Sequence, residues 1–210
     1  MGAVTGILGG AFDPPHLGHL ALARAALARF ELDRLLVRVV ASPGHKTVVA
    51  CPDHRLALAR LAFAEIAGAE VALDPHARTV DSLEELALTD PVFLVGADEF
   101  ASFLSWKQPE RVLELARLGV ATRPGTARER LDAVLAAVDR PDRVAFFEIP
   151  RHDVSSSGIR RRVAAGESID GLVAPAVAAE IARLGLYRGT VAATMGWVDS
   201  AQDTGEDATA

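Results

Sequence analysis

The chain has 210 residues, half of them hydrophobic, enough for one domain with a substantial core. A net charge of −6 without any long basic block argues against a general nucleic-acid binder. Cys51 is the only cysteine, which excludes an intrachain disulfide, and neither a signal-peptide pattern nor a bilayer-length apolar run is present. A reduced, cytoplasmic setting without membrane contact is expected.

The first element is a short apolar run, Gly6-Ile7-Leu8, ending in Gly9 and Gly10. Without a Cβ, the paired glycines let the backbone approach a ligand closely. Asp13-Pro14-Pro15 turns the chain, and His16-Leu17-Gly18-His19 leads into a helix over Leu20 to Arg29 that is rich in Ala and Leu. Three residues apart, the two imidazoles fall on one side of a helical turn. A helix start adds unpaired N–H groups and a positive dipole end. The order strand, loop, helix therefore describes a phosphate site holding two histidines.

Leu35 to Ala41 reads as a buried strand that breaks at Ser42-Pro43-Gly44. His45-Lys46 follows, so Lys46 stands at a strand end, where ligands bind in open α/β sheets. Cys51 has no motif around it and reads as structural or incidental. Asp53 is the expected N-cap of a helix running to Gly68, with Leu56, Leu58, Leu61, Ala62 and Phe63 as its apolar face. Glu70 to Leu73 is a short strand and Asp74 to Arg78 a loop. Thr79 or Asp81 then starts a helix over Ser82 to Ala87, broken by Thr89-Asp90-Pro91.

Pro91 to Val95 is the clearest strand, and it runs into Gly96-Ala97-Asp98. Asp98 either accepts from ribose hydroxyls or caps the helix through Phe100 and Phe103. Trp106, among polar residues, offers either a stacking surface or packing. Glu110 to Arg117 is expected as a helix and Leu118 to Thr122 as a strand ending at Arg123-Pro124-Gly125, with Arg123 a third basic group at a strand end. A helix over Ala127 to Val138 and a strand over Val144 to Ile149 follow. Ser155, Ser156 and Ser157 then precede a helix carrying Arg160, Arg161 and Arg162, a second arrangement suited to phosphate. After a break at Ile169 to Pro175, Ala176 to Leu184 is helical and Gly185-Leu186-Tyr187 closes it. The composition shifts beyond Tyr187, giving one domain over 1–188 and a tail over 189–210 expected to be disordered from Ser200. Trp197 in that tail reads as an anchor or as a homo-oligomer contact.

Alternating strands and helices imply a Rossmann-like α/β fold, a parallel sheet with helices on both faces and the polar loops on one edge. No metal-binding Cys/His cluster, Gly-x-Ser-x-Gly elbow, Walker A loop or Gly-x-Gly-x-x-Gly pattern is present.

Gly9 to His19 resembles the His-x-Gly-His loop of the nucleotidyltransferase superfamily, and its Asp-Pro-Pro-His form is most similar to that of bacterial nicotinate-nucleotide adenylyltransferases. Val154 to Arg160 resembles the family's Ile-Ser-Ser-Thr-x-Ile-Arg motif, Gly96-Ala97-Asp98 its Gly-Ala-Asp motif, and Gly185-Leu186-Tyr187 its C-terminal ending. The resemblance implies adenylyl transfer from ATP, with magnesium carried by the ATP phosphates and no metal site of the protein's own. It implies His16, His19, Lys46 and Arg160 as catalytic. Gly9, Gly10, Ala11, Phe12, Gly18, Gly96, Asp98, Ser156 and Ser157 join His16, His19 and Arg160 around ATP. Lys46, Arg78, Thr79, Trp106 and Arg123 are implied around a pyridine mononucleotide, with Trp106 stacked on its ring. The resemblance implies nicotinate mononucleotide as the acceptor, giving deamido-NAD and pyrophosphate. Because the chain departs from the family at Ala11, usually Thr or Ser, and at Arg78, usually Tyr, nicotinamide mononucleotide and phosphopantetheine stand as alternative acceptors. A non-catalytic nucleotide-sensing module is the reading from a different class.

Overall fold

A computed structural model describes residues 3–44, 47–126 and 128–188. The His45-Lys46 pair and the tail with Trp197 lie outside the described residues. The strands are β1 (Thr5–Gly10), β2 (Arg34–Val40), β3 (Ala69–Asp74), β4 (Val92–Gly96), β5 (Arg117–Thr122) and β6 (Val144–Glu148). The helices are α1 (Leu17–Phe30), α2 (Pro52–Phe63), α3 (Thr79–Leu86), α4 (Ala97–Phe100), α5 (Pro109–Leu115), α6 (Arg128–Ala137), α7 (Ser156–Ala164) and α8 (Pro175–Leu184).

The six strands form one parallel sheet in the order β3-β2-β1-β4-β5-β6. Both faces are covered, which is why the strands read as continuous apolar runs. Side chains alternate between two cores. Leu8, Leu35, Val37, Val39 and Leu94 join the core that receives α1, α2 and α8. Ile7, Leu36, Phe93, Val95, Leu118 and Val120 join the core that receives α3 and α5. At Gly119 a Cβ would stand 2.8 Å from the Phe30 ring and 2.9 Å from Leu94, so its absence lets the end of α1 settle on β5. The strand order reverses between β1 and β4, which opens a crevice at their carboxyl ends. No helix among the described residues is long and apolar enough to cross a membrane.

Several boundaries differ from expectation for local reasons. Helix α1 begins at Leu17, so His16 is its N-cap. Cys51, not Asp53, precedes α2, because Pro52 supplies a preset φ at the first helical position. That helix ends at Phe63, well short of Gly68. Arg117 belongs to β5 instead of the preceding helix, since Ala116 is already extended. The helix expected to run through Phe103 splits into α4 and a 3₁₀ turn over Phe103–Ser105, with Gly96 and not Asp98 at the cap.

Candidate active site

The carboxyl ends of the strands surround a cleft of about 1220 Å³. Every predicted site residue within the described part lines it: Gly9 to Phe12, His16, Gly18, His19, Arg78, Thr79, Gly96, Asp98, Trp106, Arg123, Ser156, Ser157 and Arg160. Lys46 lies outside the described residues.

The histidine loop is held by its own backbone. Beyond β1, Phe12 adopts a left-handed φ of 49°, unusual for a bulky side chain, and is kept there by burial against Phe63 and His19. The His16 N–H donates to His19 Nδ1 at 3.1 Å, so neutral His19 carries its proton on Nε2. The two imidazoles stack with centroids 3.7 Å apart. Gly18 makes room for this, since a Cβ there would stand 3.1 Å from His16 Nδ1. His16 is 9% exposed, and its buried Nδ1 has no hydrogen-bond partner. Burial, reinforced by the charges of Arg123 and His152, lowers the His16 pKa to about 4, so the ring is neutral at pH 7. The opening amide of α1 is less available than its position suggests, because Leu17 N–H donates to Leu172 O at 3.0 Å.

The same loop is clamped from three distant segments. Asp13 is 2% exposed, and its carboxylate accepts from Val49 N–H at 2.6 Å, Ala50 N–H at 3.2 Å and Tyr187 O–H at 2.7 Å. Desolvation and the neighbouring Asp13 carboxylate push the Tyr187 phenol above its usual range. Arg160 donates to Asp13 O at 2.7 Å and stands 3.6 Å from its carboxylate. Ser155 caps α7 by accepting from Gly158 N–H, while Ser156 donates to Pro14 O at 2.8 Å. Ser156 and Arg160 therefore fasten the two ends of the chain together as well as lining the cleft.

Arg55 escaped the sequence reading. Its guanidinium, fully buried, donates to Ala50 O at 3.1 Å, Ala11 O and Val40 O at 2.8 Å, and Ala41 O at 2.7 Å. It thus joins the ends of β1 and β2 to the far foot of the loop between β2 and α2. Nothing local distinguishes Arg55 from a surface arginine on a polar helix start. Its partners are carbonyls, which leave no trace in a side-chain pattern.

The other end of the cleft is more open. Asp98 is exposed in the first turn of α4, and a Cβ at Gly96 would meet only open space. Trp106 is half-buried, edge-on to Phe93 at 6.3 Å and to Phe103 at 5.3 Å. It therefore packs on these rings and also lines the cleft. Arg123 is exposed at the end of β5, where its N–H donates to Thr126 Oγ1. Arg78 is the N-cap of α3 and Thr79 its first residue. Lys107, next to Trp106, donates to Asp81 in the first turn of α3 at 2.6 Å.

Residues 7–162 match the family model described as cytidylyltransferase-like. A protein of Roseiflexus sp. (strain RS-1) named "Probable nicotinate-nucleotide adenylyltransferase" is 37% identical over 196 residues, covering 89% of this chain and 98% of the relative. A protein of Thermomicrobium roseum with the same name is 40% identical over 205 residues, covering 90% and 94%. Among solved structures, the nicotinic acid mononucleotide adenylyltransferase of Plasmodium falciparum complexed with NaAD superposes with a TM-score of 0.73 at 16% identity, covering 89% of this chain and 98% of that one. The last likeness shows a shared fold.

Proposed function

Because the chain belongs to the cytidylyltransferase-like family, and within it to the nicotinate-nucleotide adenylyltransferases, we propose that it moves AMP from ATP to nicotinate mononucleotide, giving deamido-NAD and pyrophosphate. The supporting observation is the meeting, in one cleft, of two motifs more than a hundred residues apart: the loop through His16 and His19, and the cap and first turns of α7 through Arg160.

An oxygen of the acceptor phosphate attacks the α-phosphorus of ATP. A new P–O bond forms, and the bond from that phosphorus to the bridging oxygen breaks, its electron pair leaving with pyrophosphate. The protein's work is alignment and relief of the charge growing on the leaving group. Neutral His16, and His19 through its Nε2–H, act as hydrogen-bond donors to the α- and β-phosphates. Lys46 and Arg160 supply cations to the outer phosphates. Since the Ser156 hydroxyl is engaged by Pro14, Ser157 and the first amides of α7 are the better phosphate partners on that wall. Asp98 receives the ribose hydroxyls.

Trp106 provides the platform for the pyridine ring, with Arg123 beside it. Arg78, Thr79 and the opening amides of α3 form a donor-rich seat for the nicotinate carboxylate. A magnesium ion carried in on the ATP phosphates would supply neutralisation of phosphate charge, and no residue of this chain is assigned to hold it. The hydroxyls of Ser155, Ser156 and Ser157 and the guanidinium of Arg160 on the cleft wall suit phosphate.

The test is pyrophosphate release with ATP and a panel of mononucleotides. Nicotinate mononucleotide is expected to exceed the amide by about tenfold or more in kcat/KM, the worth of one charge-assisted hydrogen bond. Equal turnover of both would overturn the acceptor assignment. Tight ATP binding with no turnover on any acceptor would make the protein a nucleotide sensor.

A further inference from the structure

We infer that Asp74 is the positioning residue of the acceptor seat, and that through it the chain distinguishes an acidic acceptor from its amide. Asp74 is the last residue of β3 and is 3% exposed. One carboxylate oxygen, Oδ1, accepts from His76 N–H at 3.0 Å. The other, Oδ2, accepts from the Ser82 hydroxyl at 2.6 Å. His76 lies in the loop before α3, and Ser82 is the fourth residue of α3. A single carboxylate therefore grips the approach to α3 and its first turn together.

The rest of α3 leaves that task open. Val80 and Leu83 are buried in the second core and set where the helix lies against the sheet. Arg78, at its N-cap, makes no side-chain cap, and the ion pair from Asp81 in the opening turn to Lys107 faces solvent and is screened. Apolar packing is non-directional and does not aim a set of amides. The two hydrogen bonds to Asp74 are directional and do.

The charge of Asp74 is offset from behind. On β2, Arg38 Nε stands 3.8 Å from Asp74 Oδ2, and Arg38 Nη2 stands 3.9 Å from Glu85 Oε1. These distances are too long for hydrogen bonds but close enough for attraction between charges. Glu85 in turn meets His76 Nε2 at 2.6 Å. The carboxylate can thus sit in the wall of an anion seat without facing it as an uncompensated charge.

This inference rests on the proposed reading that the start of α3 receives the acceptor's carboxylate. An acid makes charge-assisted hydrogen bonds there, about twice as strong as the neutral ones of an amide. Loosening the seat should cost the acid more than the amide. Asp74→Asn keeps the shape but offers one acceptor oxygen where two are needed. Ser82→Ala removes one of the two bonds, and Ser82→Thr retains the hydroxyl.

Steady-state kinetics with ATP and both pyridine mononucleotides test this. Asp74→Asn should raise the KM for nicotinate mononucleotide about tenfold, leave the KM for ATP within about twofold, and shrink the acid-over-amide ratio of kcat/KM about tenfold. Ser82→Ala should move the same quantities by roughly threefold, and Ser82→Thr should restore them. An unchanged acceptor KM, or equal rises in both KM values, would overturn the inference. If Asp74→Asn does not fold, the Ser82 pair decides by the same criteria. Absence of turnover by the unmutated protein would instead sink the underlying reading, and the positioning role with it.

Discussion

The two ends of the cleft are fastened in different ways. At the histidine end, buried groups bind main chain: Arg55 holds four carbonyls, and Asp13 holds two amides and the Tyr187 hydroxyl. At the acceptor end, the links around α3 are mostly between exposed side chains, Lys107 to Asp81 and Arg111 to Glu84. The buried polar link there is the hydrogen bond from Ser82 to the Asp74 carboxylate. Buried polar groups with full partners specify one geometry, whereas exposed ion pairs are screened and tolerate rearrangement. The end proposed to perform transfer is thus the rigid one. The end proposed to recognise the acceptor hangs on a single buried carboxylate.

The sharpest way to break this comparison is Arg55→Ala. It strands four buried carbonyls and removes the cation beside Asp13, at a cost of about 3–5 kcal/mol in unfolding free energy. Urea denaturation would measure it, and a loss under about 1 kcal/mol would mean the histidine end is not held as described.

Acid should probe the same end with comparable force. The His16 pKa is about 4 in the fold, below the ordinary value of 6.5, so the unfolded chain binds the extra proton first. The stability from keeping His16 neutral is complete above about pH 6.5 and is lost as pH falls toward 4, up to about 3 kcal/mol in all. His16→Gln should flatten that part of the stability profile. An identical profile in the variant would mean that His16 does not titrate in its buried position.

Much of this was legible in the sequence, and the residues show why. The strands announce themselves because both faces are covered, so Leu35 to Ala41 and Pro91 to Val95 need no alternation to be recognised. The histidine loop is contiguous, and its chemistry survives in one dimension. Asp13 was visible within that loop, yet its partners lie 36, 37 and 174 residues away, and two of them are backbone amides. Arg55 and Asp74 are bound in the same manner, largely to main chain or across turns. The start of α3 was the least certain segment for a related reason: Arg78 carries no side-chain cap, and the helix is positioned by a residue of the preceding strand.

A third measurement addresses chemistry directly. His19→Ala should lower kcat by about 10²-fold or more while the protein remains folded, because it removes a donor proposed to meet developing charge. It also removes the acceptor of the His16 N–H. His19→Asn, which restores an acceptor, separates the two effects. If Asn rescues the rate, His19 acts by holding the loop; if it does not, the imidazole acts on the phosphates.

The smallest expected effect sharpens the comparison from the other side. Lys107 Nζ lies 2.6 Å from Asp81 Oδ1, but their side chains are 49% and 32% exposed. At that exposure, side-chain ordering and water offset most of the attraction, so Lys107→Ala should cost about 1 kcal/mol or less. Added salt should diminish even that difference, since the pair faces solvent. The acceptor KM should stay within about twofold, because Asp74 still holds α3 through Ser82 and His76. A larger rise in KM would mean that the exposed pair, not the buried carboxylate, sets the acceptor seat. The contrast between the two ends would then be one of burial alone and not of control.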